Sequence, residues 1–386
     1  MEAVRVGIIG VGNISGIYIE CLQAFAGVDL IACADIDQDR ARGVAAEKSI
    51  PKALSVEELL KDSDVELVLN LTIPAAHGPV ALQALENGKH VYNEKPLAVS
   101  LADAQALVAS AAEKGLRVGC APDTFLGSGQ QTARRAIDDG LIGTPIGAQA
   151  AFLAHGPEDW HPNPDFFYQN GGGPMLDMGP YYVTALTNLL GPVKRVSGSA
   201  RASQATRKVS LKNERYYARA DRSGFAETGY EIPVETPTHY VGVLDFESGA
   251  IGDLCTSFDI WHHRNDWAHP ITIYGTEGTL LVPDPNNFGG EVKLKRHDDE
   301  DWRTLENVHT FNENSRGLGV MDMAFGIRTG AKHRASGELA LHALEVMLGV
   351  RTASEESRYV TPTTQPERPA ALGVDEYSDP RPPKVD

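Results

Sequence analysis

Three polar side chains in this chain combine the right chemistry with turn-forming neighbours. Lys95 stands in Glu94-Lys95-Pro96, and Asp177 and Tyr181 stand in the run GGGPMLDMGPYY over residues 171–182. An ammonium, a carboxylate and a phenol are groups that can take a proton from a hydroxyl and steady the charge that follows. A proline after Lys95 disfavours helix there, so the lysine belongs on a turn. Gly179-Pro180 opens a periodic run to Leu190, and proline suits a helix's first turn because its missing N–H has no partner there. Tyr181 is therefore expected at a helix N-terminus, where the helix dipole favours a phenolate. Glycines at 171–173 would let backbone approach a ligand closely. The alternatives are a capped, buried turn for residues 171–182 and a solvated lysine paired with Glu94.

Elements that could position these groups follow from the first 124 residues. An apolar run at 4–9 ends in Gly10-Val11-Gly12 and leads into helical spacing over residues 13–25. This GxGxxS turn resembles a dinucleotide fingerprint, with Ser15 where glycine or alanine is usual. Gly10 would make the tight turn and Gly12 would admit a diphosphate. The helix start at Asn13 and Ile14 would attract its charge. A second strand at 29–34 ends at Asp35, placed to accept hydrogen bonds from the adenosine ribose. A carboxylate there repels a 2′-phosphate, and apolar Ile36 follows it, so NAD is favoured over NADP. Residues 55–58 form a capping box, and the unbroken apolar run 65–71 reads as a buried parallel strand. Helix at 78–87, strand at 90–92, helix at 100–114 and strand at 116–120 complete an α/β, doubly wound parallel sheet over residues 1–124. Ligands of such sheets lie beyond the strands' carboxyl ends. Those ends carry Thr72, Pro74, His77, Glu94, Lys95 and Pro122 as cofactor contacts and Asp123 as a substrate contact.

Residues 125–355 read as a second, α+β domain. A linking helix at 127–140 precedes a strand at 146–153. The loop 155–168 then gathers Trp160, His161, Phe166, Phe167 and Tyr168, rings that could cover the apolar face of a sugar or simply clasp the domain. Trp160 and His161 are the expected substrate contacts there. Strands at 193–202, 240–246, 250–258, 271–274 and 279–282 read as an antiparallel sheet with a hairpin at 275–278. The basic stretch carrying Arg207, Lys208, Lys212, Arg215 and Arg219 reads as solvated surface. Helices are expected at 321–329 and 338–348. The Pro-rich segment 356–386 is expected to wrap a neighbouring chain or stay mobile.

Composition removes several function classes. A chain of 386 residues suggests two or three domains, and 42% hydrophobic content supplies their cores. A formal charge of −17 argues against nucleic acid as a partner. No apolar run is long enough for a membrane span, and no signal peptide is recognisable, so a cytoplasmic location is expected. Scattered Cys21, Cys33, Cys120 and Cys255 read as reduced core residues. His262-His263 lacks the spacing of a helical zinc site, so no metal is expected. An exposed face of the second sheet suggests pairing between subunits.

GIIGVGN at the start, residues 72–77, GKHVYNEKP at 88–96, GGGPMLDMGPYY and IYGTEGTL at 273–280 occur in an order that resembles the glucose-fructose oxidoreductase, inositol dehydrogenase and rhizopine-catabolism (Gfo/Idh/MocA) family. The resemblance covers residues 3 to about 350. It implies a Rossmann domain followed by a domain built on a large open, mostly antiparallel sheet, whose exposed face is expected to pair subunits into a homodimer or homotetramer. It also implies NAD(P)-dependent oxidation or reduction of a carbinol in a sugar, sugar derivative or cyclitol. Lys95 matches the family's catalytic lysine and Asp177 its substrate-site carboxylate. Tyr181 stands where many members have histidine and follows the tyrosine branch. The expected chemistry has Tyr181 as acid/base, its phenol acidified by the Lys95 ammonium and the helix N-terminus. Two other functions remain open at this point: NAD-bound glycoside cleavage or elimination through transient oxidation, and a non-catalytic dinucleotide or sugar sensor.

Overall fold

The computed structural model describes residues 2–218, 222, 227–262, 268–374 and 376–377. Arg219 and His263, singled out above, lie outside the described residues.

Continuous apolar stretches with glycine-stopped helices between them dictate the first layer. Its elements are β1 (Val4–Ile9), α1 (Ser15–Ala24), β2 (Val28–Ala34), α2 (Gln38–Lys48), β3 (Lys52–Leu54), α3 (Val56–Lys61), β4 (Leu67–Asn70), α4 (Pro74–Glu86), β5 (His90–Asn93), α5 (Leu101–Lys114) and β6 (Val118–Cys120). All strand pairs are parallel, in the order β3-β2-β1-β4-β5-β6. The order reverses between β1 and β4, which opens a crevice at their carboxyl ends. Val6 and Ile8 pack into one core, while Ile9 and Val68 pack into the other. Burial on both faces is why these strands read as unbroken apolar runs. Five strands were legible, whereas β3 is a three-residue edge strand of half-exposed residues and carries no pattern.

The second layer begins with α6 (Ser128–Asp138) and β7 (Pro145–Leu153), then α7 (Pro174–Asp177), α8 (Gly179–Leu190), β8 (Val193–Arg201), β9 (Thr206–Val209), α9 (Glu214–Tyr217), β10 (Tyr230–Pro233), β11 (His239–Phe246), β12 (Ile251–Ser257), β13 (Ile271–Gly275), β14 (Gly278–Val282), β15 (Val292–Arg296) and β16 (Arg303–Leu305). Helices α10 (Leu318–Thr329) and α11 (Gly337–Glu356) follow. Eight strands run in the order β16-β15-β14-β13-β7-β12-β11-β8. Only β7 and β12 pair in parallel; the other neighbours are antiparallel. Helices α6, α8 and α11 cover one face, and α10 returns to the first sheet, where Leu318, Val320 and Met323 join the core of β1. Among the described residues no helix is long and apolar enough to cross a membrane. Cys21, Cys33 and Cys120 are buried, Cys255 is half-buried, and all four are free thiols.

Two expectations are corrected. The basic stretch is not merely solvated: β9 and β10 form a small sheet, and Arg207 within it is buried between Glu158 Oε1 and Asp259 Oδ1, each at 2.6 Å. A guanidinium can sit there because two carboxylates replace its hydration. Val209, Tyr216 and Ile232 join Phe167, Tyr168 and Phe258 in a separate core that braces the aromatic loop. Of the tail, expected on a neighbour or loose, the described residues 368–372 lie along their own chain. Arg134 donates to the Pro369 carbonyl at 2.8 Å, the Leu372 N–H to Gln131 Oε1 at 2.8 Å, and Arg368 to the Asn188 and Leu189 carbonyls at 2.7 Å. Proline-rich backbone has few N–H donors of its own, so side chains from α6 and the tail itself make the hydrogen bonds.

Candidate active site

Gly10 has φ +94°, and a Cβ there would lie 2.8 Å from the Leu71 carbonyl, so the β1–α1 turn requires glycine. Gly12 differs: a Cβ there would meet nothing within 4 Å. Gly12 and Asn13 are exposed and Ile14 is half-buried, so the turn presents open backbone above the helix start. Asp35 holds the turn's outer side, its Oδ2 accepting from Val11 N and its Oδ1 from Asp37 N, each at 2.9 Å. These residues fit a dinucleotide: an open anion cradle beside a carboxylate at the ribose position. Gly12→Ala should therefore leave the urea midpoint unchanged while weakening NAD binding by about tenfold, because its methyl enters only the cradle. Equal loss of stability and of NAD affinity would show that the turn, not the cradle, was damaged.

Buried amides position the lysine turn. Asn70 and Asn93, at the ends of β4 and β5, are both fully buried, and Asn70 Nδ2 donates to Asn93 Oδ1 at 3.0 Å. Thr72 donates to Asn70 Oδ1 at 2.7 Å, and Asn93 Nδ2 donates to the Leu97 carbonyl at 3.0 Å. His77, expected at the cofactor, is 1% exposed and bridges the carbonyls of Pro96 (2.6 Å) and Thr72 (3.0 Å). It holds the two loops together from beneath. Pro74 starts α4, and Pro122 is buried behind a cis peptide bond. Glu94 is likewise occupied within the protein, accepting from Tyr18 OH at 2.8 Å and from Lys95 N at 2.7 Å.

Lys95 Nζ donates to Asp177 Oδ1 at 2.8 Å and to the Asp177 carbonyl at 2.7 Å, and lies 5.3 Å from the centre of the Tyr181 ring. The lysine and aspartate side chains are 17% and 27% exposed. Burial works against the ammonium, but Asp177, Tyr181 and Glu94 together outweigh it and hold Lys95 charged, above the usual lysine range. Tyr181, 7% exposed in the first turn of α8, departs from expectation. Burial raises its phenol above the ordinary value, and the opposing pull of Lys95 and Arg316 does not reverse this. The Glu94 carboxylate adds to the effect of burial. The glycine run also differs. A Cβ at Gly172 would lie 2.4 Å from the Phe166 carbonyl, so close approach there serves the aromatic loop and not a ligand.

His161 lies within electrostatic reach of Asp177 and packs edge-on against Trp160, Phe166 and Phe167. Trp160 is 55% exposed and free to cover a ligand. Asp123 is corrected: only 1% exposed, it takes Gly317 N at 2.8 Å and Gly319 N at 2.9 Å, fixing the start of α10 instead of facing substrate. Burial pushes its carboxyl up to about 6, against the pull of those N–H groups. The folded state thus holds this proton more tightly than the unfolded state, so Asp123 costs stability as pH rises from about 4 to about 6. Asp123→Asn keeps an acceptor for both N–H groups. It should gain about 1–3 kcal/mol over the parent at pH 7 and nothing at pH 3.5, read from urea melts. Missed in the sequence were Tyr18, Asn70, Asn93 and Arg316. The two asparagines end apolar strands and were visible as the first polar residue there; Arg316 lies in an aperiodic polar loop without a signal.

Among the described residues no group of three or more His, Cys, Asp or Glu side chains is arranged to hold a metal. A parallel sheet with an open glycine cradle, whose Lys95 meets Asp177 and Tyr181 of the second domain, defines a dinucleotide-dependent oxidoreductase. The chain belongs to the Gfo/Idh/MocA oxidoreductase family. Residues 4–121 match the model of the oxidoreductase family's NAD-binding Rossmann fold, and residues 130–281 match its C-terminal domain. It is 30% identical to a 1,5-anhydro-D-fructose reductase of Ensifer adhaerens over 72% of this chain and 75% of that one. A scyllo-inositol 2-dehydrogenase (NAD+) of Bacillus subtilis is 27% identical over 72% and 73%. In fold it matches an NAD binding oxidoreductase from Klebsiella pneumoniae with TM-score 0.79, 23% identity and coverage of 93% and 98%. The protein is an NAD(P)-dependent oxidoreductase acting on CH–OH groups.

Proposed function

We propose that this enzyme oxidises or reduces a secondary carbinol of a sugar, sugar derivative or cyclitol, with Tyr181 as acid/base and NAD as the preferred cofactor. The observation that carries this reading is the Lys95 ammonium, bonded to Asp177 and lying 5.3 Å from the Tyr181 ring at the sheet's ligand edge. Named relatives acting on anhydrofructose and inositol support the substrate class. Bound NAD supplies the hydride acceptor and a positive charge. Tyr181 takes the hydroxyl proton in oxidation and returns it in reduction; its raised value keeps it protonated at rest, ready as an acid. Lys95 stays protonated, donates to the reacting oxygen and stabilises the phenolate. Asp177 fixes Lys95 and accepts from a neighbouring substrate hydroxyl. Trp160 and His161 wall the sugar's apolar face.

Preference for NAD rests on Asp35. Arg40, the nearest cation at 3.4 Å, is shared with Asp37 at 3.3 Å, which leaves the ribose position net negative. Four free thiols suit a reducing cytoplasm. The open face of the second sheet carries Val241, Ile251 and Leu281, apolar groups that a homodimer or homotetramer would cover. A screen of monosaccharides, cyclitols and glycosides with either cofactor tests the assignment. Net NADH formation with a sugar-like carbinol, and a weaker response with NADP, is expected. Product formation on catalytic NAD without NADH would replace the proposal with transient oxidation.

A further inference from the structure

We propose that Arg316 anchors a carboxylate on the substrate, so that the pocket takes a polyhydroxy acid of the aldonate or uronate class in preference to a neutral sugar. This rests on the reading of Tyr181 as the reacting group. Arg316 enters the site from the turn before α10, which Asp123 pins through Gly317 N and Gly319 N. Its guanidinium donates to Asn314 Oδ1 at 2.9 Å and Asn286 Oδ1 at 3.0 Å, and the Tyr181 phenol and the Asp123 carboxylate lie within its electrostatic reach. Both amide partners are neutral.

Other sheltered arginines of the chain are paired differently. Arg134 meets Asp138, Arg207 meets Glu158 and Asp259, Arg328 meets Glu66, and Arg334 meets Asp322, each as an ion pair. Arg316 has no carboxylate within ion-pair distance among the described residues. Asp123, the nearest candidate, directs its Oδ2 to backbone N–H groups. Nearby Lys95 is already matched by Asp177, and Glu94 by Tyr18 and its own turn. Arg316 is therefore left without a direct ion-pair partner beside the phenol, and Asp123 acts on it only at longer range. A sheltered cation without a counterion forfeits hydration for little return, and a guanidinium's fork matches a carboxylate with two parallel hydrogen bonds.

Arg316 also lines a groove of about 610 Å³ together with Asp284, Glu291 and Glu313. Those carboxylates disfavour an anion in the groove, so we seat it beside the Tyr181 phenol. With a net charge of −17 the chain offers no general attraction to anions, and only a local cation can hold one. The cofactor's diphosphate has its own seat at Gly12 and Asn13.

Calorimetry on the NAD-loaded full chain tests this, with a panel of aldonates and hexuronates against the matching neutral sugars. The acids should bind about tenfold tighter or better. Arg316→Met should remove that margin while NAD affinity stays unchanged, and Arg316→Lys should keep part of it. Equal binding of acids and neutral sugars, or no binding of any acid, rules the proposal out. A loss of NAD affinity in Arg316→Met would rule it out as well, by assigning the guanidinium to the diphosphate. Binding preference is read without turnover, so a failure of the oxidoreductase reading appears separately, as absent NADH.

Discussion

Lys95→Ala should lower turnover by about a thousandfold while the protein still binds NAD. The substitution removes two hydrogen bonds to Asp177, at 2.7 and 2.8 Å, and the nearest cation to the Tyr181 ring. Asp177 would then be left sheltered without its partner, at a cost of about 1–3 kcal/mol in stability. That cost is small beside the kinetic loss, so the two effects separate in a urea melt and a steady-state assay. NAD affinity should barely move, because Lys95 Nζ is held by Asp177 while the glycine cradle is built from β1 and α1. Turnover within tenfold of the parent would remove Lys95 from the chemistry.

Tyr181→Phe should cost about a hundredfold to ten-thousandfold in the oxidation rate, with the fold intact. The ring packs in the first turn of α8 inside the main core, and phenylalanine keeps that packing. Only the hydroxyl, facing Lys95 and Arg316, is lost. The sign of the pH dependence follows from the raised phenol. In oxidation the active form is the phenolate, so the parent's kcat/KM should climb with pH toward the alkaline range; in reduction it should fall there. The variant should show neither slope. A parental slope that survives in Tyr181→Phe would point to another base.

Much of the fold was legible because its strongest signals are local. Val4–Ile9 and Leu67–Asn70 are apolar without interruption since both faces of the parallel sheet are covered, and α3 and α5 carry serine caps that mark their starts. Short strands at sheet edges were not legible. β15 alternates Val292 and Leu294 against Lys293 and Lys295 for only five residues, and β16 has three. Within the site, Lys95, Asp177 and Tyr181 were found from turn grammar, and the structure brings these three together. Asp123 and His77 were expected as ligand contacts, and the structure directs both to backbone groups of their own chain, because position at a strand end does not reveal which way a side chain turns. Arg207 was read as solvated surface, and Arg316 was overlooked, for a related reason. An arginine's role depends on which carboxylates it meets, and those partners, or their absence, come from elements far away in sequence.

Net hydride transfer coupled to a proton taken by Tyr181 is tested directly with a deuterium-labelled carbinol. With a sugar-like substrate deuterated at the reacting carbon, NADH should accumulate one-to-one with oxidised product and carry the label, while Tyr181→Phe yields almost none. Product without accumulated NADH, or NADH formed at an undiminished rate by Tyr181→Phe, would contradict the account.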